Sequence, residues 1–217
     1  MQHALWSGVD CGHLVDRAER LLETGGRRVL GIAGAPASGK STLAAALLGE
    51  LELRHPGSVG LLGMDAFHLG HRVLQRHRLE DVKGAPHTFD VLGYVALLER
   101  IRGSADTVYA PEFHREIEDS LAQVVEIGPQ VRLVLTEGNY LLLPQAPWTR
   151  VRPLMDEAWF VFLDDTERQR RMLIRHQRYG HPPDVARAKT FGSDERNAQL
   201  VNRAQQEPDL WIEHQSA

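Results

Sequence analysis

The stretch Val29-Leu30-Gly31-Ile32-Ala33-Gly34-Ala35-Pro36-Ala37-Ser38-Gly39-Lys40-Ser41 determines the fold expected for this chain. It begins with an apolar run, Val29–Ala33, which predicts a buried strand. The remainder fits G-x-x-x-x-G-K-[ST] at every fixed position. An Ala- and Leu-rich stretch from Lys40 to Leu53 then predicts a helix. A strand, a glycine-rich turn and a helix in this order predict a loop that cradles phosphate groups.

The glycine-rich loop indicates nucleotide binding. Its glycines let backbone N–H groups turn inward around phosphates, and the helix after it directs a positive N-terminus at them. We expect Lys40 to reach the outer phosphates and the Ser41 hydroxyl to ligate Mg²⁺. A chance match is disfavoured by the flanking strand and helix. The predicted nucleotide-binding set is Gly34, Ala35, Pro36, Ala37, Ser38, Gly39, Lys40, Ser41, Thr42 and Arg168.

Strand and helix patterns alternate along the rest of the chain. Further strands are predicted at Val59–Met64, Val131–Thr136, Trp159–Leu163 and Leu210–Glu213. Helices are predicted at His13–Glu23, Asp90–Arg102, Thr166–Tyr179 and Pro183–Gln206, the last broken near Gly192-Ser193. This alternation predicts a parallel sheet covered on both faces, with ligands bound beyond the carboxyl ends of the strands. The long gap between the second and third strands predicts a helix, a small β excursion and a lid.

Length and composition limit the classes of protein that fit. The 217 residues predict one α/β domain with an insertion, or at most two small domains. We expect a single domain, 1–217, with a substrate-binding insertion at about 66–128 and a lid helix region at about 165–182. A hydrophobic content of 42% and a charged content of 25% are typical of a soluble globular protein. The formal charge of −4 gives no global electrostatic reason to bind nucleic acid or an anionic membrane.

Cysteine usage and the apolar runs indicate the compartment. Cys11 is the only cysteine, which excludes an intramolecular disulfide and a cysteine zinc site. No apolar run approaches the roughly 18–20 residues that span a bilayer. The stretch Met1–Asp10 lacks the basic start and apolar segment of a signal peptide. We therefore expect a cytoplasmic location.

Acidic residues follow the predicted strands on either side of the long gap. Asp65 follows the strand before it, where a carboxylate can accept the proton of a substrate hydroxyl that attacks a γ-phosphorus. A helix N-cap is the alternative role of Asp65, and His68 is a second candidate base. Glu137 follows the strand after the gap and can hold Mg²⁺ directly or through water, with a structural role as its alternative.

Three arginines share one face of the predicted helix Thr166–Tyr179. Arg168, Arg171 and Arg175 stand at i, i+3 and i+7, a spacing that places neighbouring side chains on one side. Arginine stays charged and binds phosphate in a bidentate way. Facing a triphosphate, these side chains could stabilise the transferring group. Ion pairs with Glu167 or with the acidic pair before it are the alternative.

Two polar segments in the insertion have the composition of functional loops. Lys83–Asp90 and Tyr109–Arg115 are rich in polar residues and punctuated by proline or glycine. Asp90 could instead cap the helix that follows it. The remaining histidines, among them His55, His71 and His214, show no metal-ligand spacing and are interpreted as surface residues.

Taken in order, the motifs resemble a known superfamily. They are the cradle, D-x-F-H at 65–68, K-G-x-P-x-x-F-D at 83–90, Y-x-P-x-F-H-R at 109–115, [VL]-x-E-G-N-Y at 135–140 and the arginine-bearing helix. Together they resemble the uridine kinase, pantothenate kinase and phosphoribulokinase superfamily over roughly Val29–Asn197. Within it, His87–Asp90, Tyr140 and Ser193–Asn197 are similar to bacterial proteins labelled fructose-transport-system kinases.

This resemblance implies an α/β fold of the P-loop NTP hydrolase, nucleotide-kinase-like type. It has three layers and a five-stranded parallel sheet in the order 2-3-1-4-5, with a substrate and lid insertion. Asp65 takes the place of the family's base, and Lys40, Arg171 and Arg175 complete the expected catalytic set. The expected substrate-binding residues are His68, Lys83, Asp90, Tyr109, His114, Arg115 and Tyr140, and the metal ligands are Ser41 and Glu137. Ala66 and Ser120 depart from the usual glycine and proline, which affects local geometry only.

The resemblance also implies the reaction. It predicts ATP with Mg²⁺ and transfer of the γ-phosphoryl group to a hydroxyl of a sugar or sugar-like metabolite. A nucleoside or pantothenate-like acceptor and a regulatory P-loop NTPase without a small-molecule acceptor are the alternatives. The expected partner is the small-molecule acceptor, with no nucleic acid and no membrane. Superfamily members are often dimers or tetramers, which leaves a homodimer open for this chain.

Overall fold

The computed structural model describes residues 2–8, 10–203 and 205–215. Its strands are β1 (Gln2–Trp6), β2 (Arg28–Gly34), β3 (Val59–Gly63), β4 (Val108–His114), β5 (Asp119–Ile127), β6 (Leu133–Gly138), β7 (Glu157–Phe162) and β8 (Leu210–His214). Its α-helices are α1 (Gly12–Glu23), α2 (Lys40–Arg54), α3 (His71–His77), α4 (Val91–Gly103), α5 (Asp165–Arg178), α6 (Pro183–Lys189) and α7 (Glu195–Arg203). A π-helical turn, Thr190–Asp194, joins α6 to α7, so the break predicted near Gly192-Ser193 is confirmed.

Six parallel strands form the central sheet in the order β1-β8-β7-β2-β6-β3. The five predicted strands correspond, along the chain, to β2, β3, β6, β7 and β8. Their predicted order 2-3-1-4-5 is confirmed by the observed order β3-β6-β2-β7-β8, but the sheet has six strands where five were predicted. The additional strand is β1, which pairs with β8 from Gln2↔Leu210 to Trp6↔His214. Its sequence begins with polar residues and all but its last residue are partly or fully exposed at the edge of the sheet. It therefore lacks the apolar run that identifies the inner strands.

The side chains of β2 alternate between two hydrophobic layers. Val29 and Ala33 pack on the side that contains α4, whereas Leu30 and Ile32 pack on the side that contains α1 and α2. This alternation follows from the two-residue period of a strand. Each fully buried Leu or Ile contributes about 1.5–3 kcal/mol relative to its exposed state. The two layers fix the cradle between a rigid strand and a rigid helix, because the cradle joins β2 to α2.

The insertion lies between β3 and β6 and contains the predicted helix and β excursion. The helix is α4, and the excursion is the antiparallel hairpin of β4 and β5, with a register shift between Ala110 and Glu112. A short bridge between His68 and Phe89 ties the start of the insertion to the segment before α4. Within the described ranges, no helix is long and apolar enough to cross a membrane.

Candidate active site

The phosphate cradle, Gly34–Ser41, turns sharply between β2 and α2. Ala37 and Gly39 have φ values of 65° and 102°, in the left-handed region. A Cβ at Gly34 would lie 2.6 Å from both Ser38 Oγ and the Val161 carbonyl oxygen, so only glycine fits there. The Ser38 hydroxyl is buried without a hydrogen-bond partner among the described residues. An unpartnered buried donor inside a glycine-lined loop at a helix N-terminus fits a bound phosphate.

Lys40 provides the cation of the cradle. Its residue exposure is 8%, and it forms no ion pair within 4 Å with any residue that the structure describes. Burial lowers the pKa of its ammonium group, while the charges of Glu137 and Asp65 oppose this shift. A buried ammonium without a direct carboxylate partner is placed to bind an anion from outside the chain.

Ser41 and Glu137 form the donor set for a divalent cation. Burial raises the pKa of the Glu137 carboxyl, whereas Lys40 and a hydrogen bond with Ser41 lower it. A hydroxyl and a carboxylate supply the hard oxygen ligands that Mg²⁺ prefers. The carboxylate of Asp65 lies close enough to Glu137 to act on its pKa as well. The residues at this edge of the sheet therefore fit Mg²⁺.

Asp65 stands in a short 3₁₀ turn, Met64–Phe67, directly after β3. Its Oδ2 accepts a hydrogen bond of 3.2 Å from Arg115 Nη2. Burial favours a higher pKa for Asp65, but the charges of His68, Lys40 and Arg115 outweigh it and lower the pKa. Asp65 is consequently ionised near neutral pH and can accept a proton. His68 packs beside it with Nδ1 2.7 Å from the Asp65 carbonyl oxygen.

A cavity of about 840 Å³ opens between the cradle, the insertion and the helices α5–α7. It brings together eight of the residues predicted from sequence: Pro36, Lys40, Ser41, Asp65, His68, Lys83, Arg115 and Arg175. Glu137 lines an adjoining cavity of about 420 Å³, which shares Ser41, Asp65 and Arg115 with the first. The predicted base, the cradle and the cation donors thus meet at one point between two cavities.

The three arginines of α5 have different surroundings. Arg168 is 1% exposed and pairs with Asp165 and Glu195, so its charge is compensated inside the protein. Arg171 Nε donates to Glu167 at 2.8 Å. Arg175 lines the large cavity and forms no ion pair within 4 Å with a described residue. All three arginines lie on the predicted helix, but among them only Arg175 lines the large cavity.

Four residues predicted to bind substrate lie outside the cavity lining. Asp90 caps α4, because its Oδ1 accepts a hydrogen bond of 2.9 Å from the Gly93 amide. Tyr140 is buried, and its hydroxyl donates to the Gly84 carbonyl at 2.6 Å. Tyr109 is half-exposed on the hairpin, and His114 Nε2 lies 3.2 Å from a carboxylate oxygen of Glu112.

The structure adds cavity residues to which sequence reasoning gave no role. His176 on α5 pairs with Asp194 in the π-helical turn, at 2.7 Å between Nε2 and Oδ2. Asn139 lines the same cavity, and its Oδ1 is buried without a partner among the described residues. Asn197 also lines it and donates to the Gly84 carbonyl at 3.3 Å. Asp194, Asn139 and Asn197 stand within the quoted motifs, which were the available signal.

Comparison with known proteins identifies the family. A candidate uridine kinase of Schizosaccharomyces pombe is 30% identical over 208 residues, which cover 92% of this chain and 88% of that protein. The chain belongs to the uridine kinase, pantothenate kinase and phosphoribulokinase superfamily of P-loop kinases. An ATP-dependent kinase-like protein of Aspergillus versicolor is 39% identical over 111 residues, and the match covers 49% of this chain and 64% of that protein. No protein-family model matches the chain.

Solved structures agree with this P-loop kinase assignment. A candidate fructose transport system kinase from Silicibacter sp. superposes with a TM-score of 0.82 at 32% identity, covering 91% of this chain and 98% of that chain. Pantothenate kinases match only in part: the chain spans 40% of the length of the enzyme from Yersinia enterocolitica. The P-loop kinase family thus establishes nucleotide binding and phosphotransfer as the general activity.

Proposed function

We propose that the protein is an ATP-dependent kinase that transfers the γ-phosphoryl group to a hydroxyl of a sugar or sugar-like metabolite. The observation that carries this proposal is the position of Asp65. Its ionised carboxylate lines the 840 Å³ cavity together with Lys40 and Arg175. A base and two phosphate-binding cations on the wall of one cavity suit transfer from a nucleotide to a small molecule.

Each side chain has its own role in the transfer of the phosphoryl group. Asp65 takes the proton of the acceptor hydroxyl while that oxygen bonds to the γ-phosphorus, and the bond from the γ-phosphorus to the β–γ bridging oxygen breaks to release ADP. Lys40 and Arg175 stabilise the negative charge on the phosphoryl oxygens. Ser41 and Glu137 would hold Mg²⁺, which neutralises charge on the β- and γ-phosphates when bound. Arg115 keeps the Asp65 carboxylate oriented through their hydrogen bond.

The polar wall of the cavity supports a hydroxyl-rich acceptor. The buried amide oxygen of Asn139 has no partner among the described residues and can accept a hydrogen bond from a substrate hydroxyl. Lys83, His176 and Asp194 add further polar groups around the same space. A nucleoside or pantothenate-like acceptor is the second candidate, since relatives of the chain are named as uridine and pantothenate kinases.

The test is ADP release measured with and without a panel of sugars, nucleosides and pantothenate-like acids. We expect one acceptor class to stimulate turnover. We expect Asp65→Asn to retain ATP binding but to lose acceptor phosphorylation, because the amide keeps the shape and cannot accept the proton. Lys40→Ala should lower kcat by at least about 10²-fold. Asp90→Asn is the matched control, since Asn also caps helices well.

Two outcomes would overturn the proposal. ATP turnover that no acceptor stimulates would favour a regulatory P-loop NTPase. An Asp65→Asn variant that loses ATP affinity but keeps its turnover per bound ATP would make Asp65 a metal or structural residue.

The homodimer and the cytoplasmic location remain predictions, which sedimentation and cell fractionation test.

A further inference from the structure

His214 lies beneath the phosphate cradle, where the interpretation as a surface residue was wrong. It is the last residue of β8 and is 7% exposed. Its ring packs on Trp6 with 4.3 Å between ring centroids. On the other side it touches Gly39, where a Cβ would lie 2.4 Å from His214 Nδ1. Glycine at position 39 therefore allows an imidazole to approach the backbone of the cradle directly.

The imidazole ring of His214 contacts two functional elements, the cradle and α5. Nδ1 lies 2.8 Å from the Ser38 carbonyl oxygen, which can only accept, so Nδ1 carries the proton and donates. In the neutral ring this leaves a lone pair on Nε2. Nη1 of Arg171 lies 3.3 Å from Nδ1 and 3.5 Å from Nε2, so the guanidinium group of Arg171 packs against the imidazole ring. His214 thus stands between the cradle and the helix α5.

The hydrogen bond to Ser38 fixes the orientation of one peptide unit. The carbonyl of Ser38 and the N–H of Gly39 belong to the same planar trans peptide, so they point in opposite directions. Because the carbonyl points to His214, the Gly39 N–H points away from the ring. This N–H has no hydrogen-bond partner among the residues that the structure describes. It is available to a phosphate oxygen.

We propose that His214 is a positioning residue for the nucleotide phosphates: it aims the Gly39 amide into the cradle and links the cradle to α5 through Arg171. This inference rests on the proposed binding of ATP. It does not depend on the identity of the acceptor. Trp6 on β1 supports the ring from below, which gives the additional edge strand a part in holding the nucleotide site.

Three variants separate the hydrogen bond from the packing. His214→Asn places an amide N–H where Nδ1 stood, so it retains the donor to Ser38 without the ring. His214→Phe retains the ring against Trp6 and Gly39 without the donor. His214→Met fills the space without a donor and replaces the Phe variant if that one does not fold. His3→Phe is the control, because His3 is an exposed histidine that also stacks on a tryptophan, Trp211, at 6.4 Å.

ATP affinity is measured by titration calorimetry without acceptor, followed by kcat and the acceptor KM. For His214→Phe we expect the Kd for ATP to rise about tenfold, as for one lost hydrogen bond that leaves a buried carbonyl unpaired. For His214→Asn we expect a Kd for ATP within about threefold of the parent value. The acceptor KM should change little in both variants. The split between ATP affinity and acceptor KM distinguishes positioning of the nucleotide from a general loss of stability.

Equal ATP affinities of the Phe and Asn variants would overturn the positioning role, whether both match the parent or both are weakened. A parent that fails to bind ATP would overturn the proposed function and this inference together. A parent that binds ATP but responds to no acceptor would overturn the proposed function alone. In that last case, a weakened Phe variant beside a restored Asn variant would still support the role of His214.

Discussion

The two ends of α5 carry the same charge in opposite settings. Near its N-terminus, Arg168 is almost fully buried and is bound by the carboxylates of Asp165 and Glu195. Two turns later, Arg175 reaches the cavity wall with no ion pair among the described residues. Burial lowers the pKa of the Arg175 guanidinium, while the nearby charge of Asp65 opposes this shift.

This difference separates a structural cation from a functional one. A buried charge is tolerated when a carboxylate partner compensates for its lost hydration. The partners of Arg168 belong to the folded chain, so its charge holds α5 against α7. The charge of Arg175 lacks such a partner, so an anion that enters the cavity can supply one. Four variants test this comparison.

The largest effect is expected at Arg175. Arg175→Ala should lower acceptor-dependent kcat by about 10²–10³-fold, because it removes a cation that faces the transferring phosphoryl group. Steady-state kinetics with a saturating acceptor provide the measurement, and ATP binding without acceptor should change little. Arg178→Ala is the control, since Arg178 is exposed in the last turn of the same helix. A normal kcat in Arg175→Ala would show that Arg175 does not act on the transferring phosphoryl group.

At Arg168 we expect a loss of stability. Arg168→Ala should lower the free energy of unfolding by about 3 kcal/mol, because it leaves the Glu195 carboxylate without its buried partner. Urea unfolding and the midpoint of thermal unfolding measure this. Arg170→Ala should cost clearly less than Arg168→Ala, because its ion pair with Glu167 is exposed to solvent. Loss of kcat in Arg168→Ala at unchanged stability would show that Arg168 acts on the reaction instead.

Arg171 should have an intermediate effect. It contacts His214 and Glu167 rather than the large cavity. We expect Arg171→Ala to weaken ATP binding by about threefold to tenfold, comparable to the loss of one hydrogen bond. Titration calorimetry measures the affinity. A loss of kcat as large as that of Arg175→Ala would place Arg171 at the transferring group.

The smallest effect concerns the pH dependence of stability. Burial favours a higher pKa for Glu195, but hydrogen bonds from Arg168, Gln169 and Gln199 lower it. The unfolded state therefore takes up a proton first as the pH falls below the ordinary glutamate pKa of about 4.3, and stability is lost from there through the lowered folded-state pKa. In Glu195→Gln, the free energy of unfolding measured with urea should fall less than in the parent between about pH 7 and about pH 3.5. If the free energy of unfolding fell equally in both proteins, Glu195 would not contribute to the pH dependence of stability.

Local sequence patterns alone predicted the cradle, the alternation of strands and helices, and the positions of Lys40, Ser41, Asp65 and Glu137, whereas the order of the inner strands followed from the family resemblance. These features depend on local chain geometry. A glycine-rich turn between a buried strand and a helix forms from neighbouring residues. Likewise, the carboxyl ends of adjacent parallel strands reach the same edge of the sheet, so acidic residues at those ends come together there.

The surroundings of Arg168, Arg171, Arg175 and His214 depend on the tertiary fold. Helical spacing gives the direction of a side chain around its own axis. It does not give the partner, because Glu195 is 27 residues from Arg168 and His214 is 43 residues from Arg171. The edge strand β1 was missed because it lacks the apolar run of an inner strand, and it is recognised only by its pairing with β8. Contacts between residues so far apart in the sequence depend on the packing of the whole sheet, and no local pattern carries them.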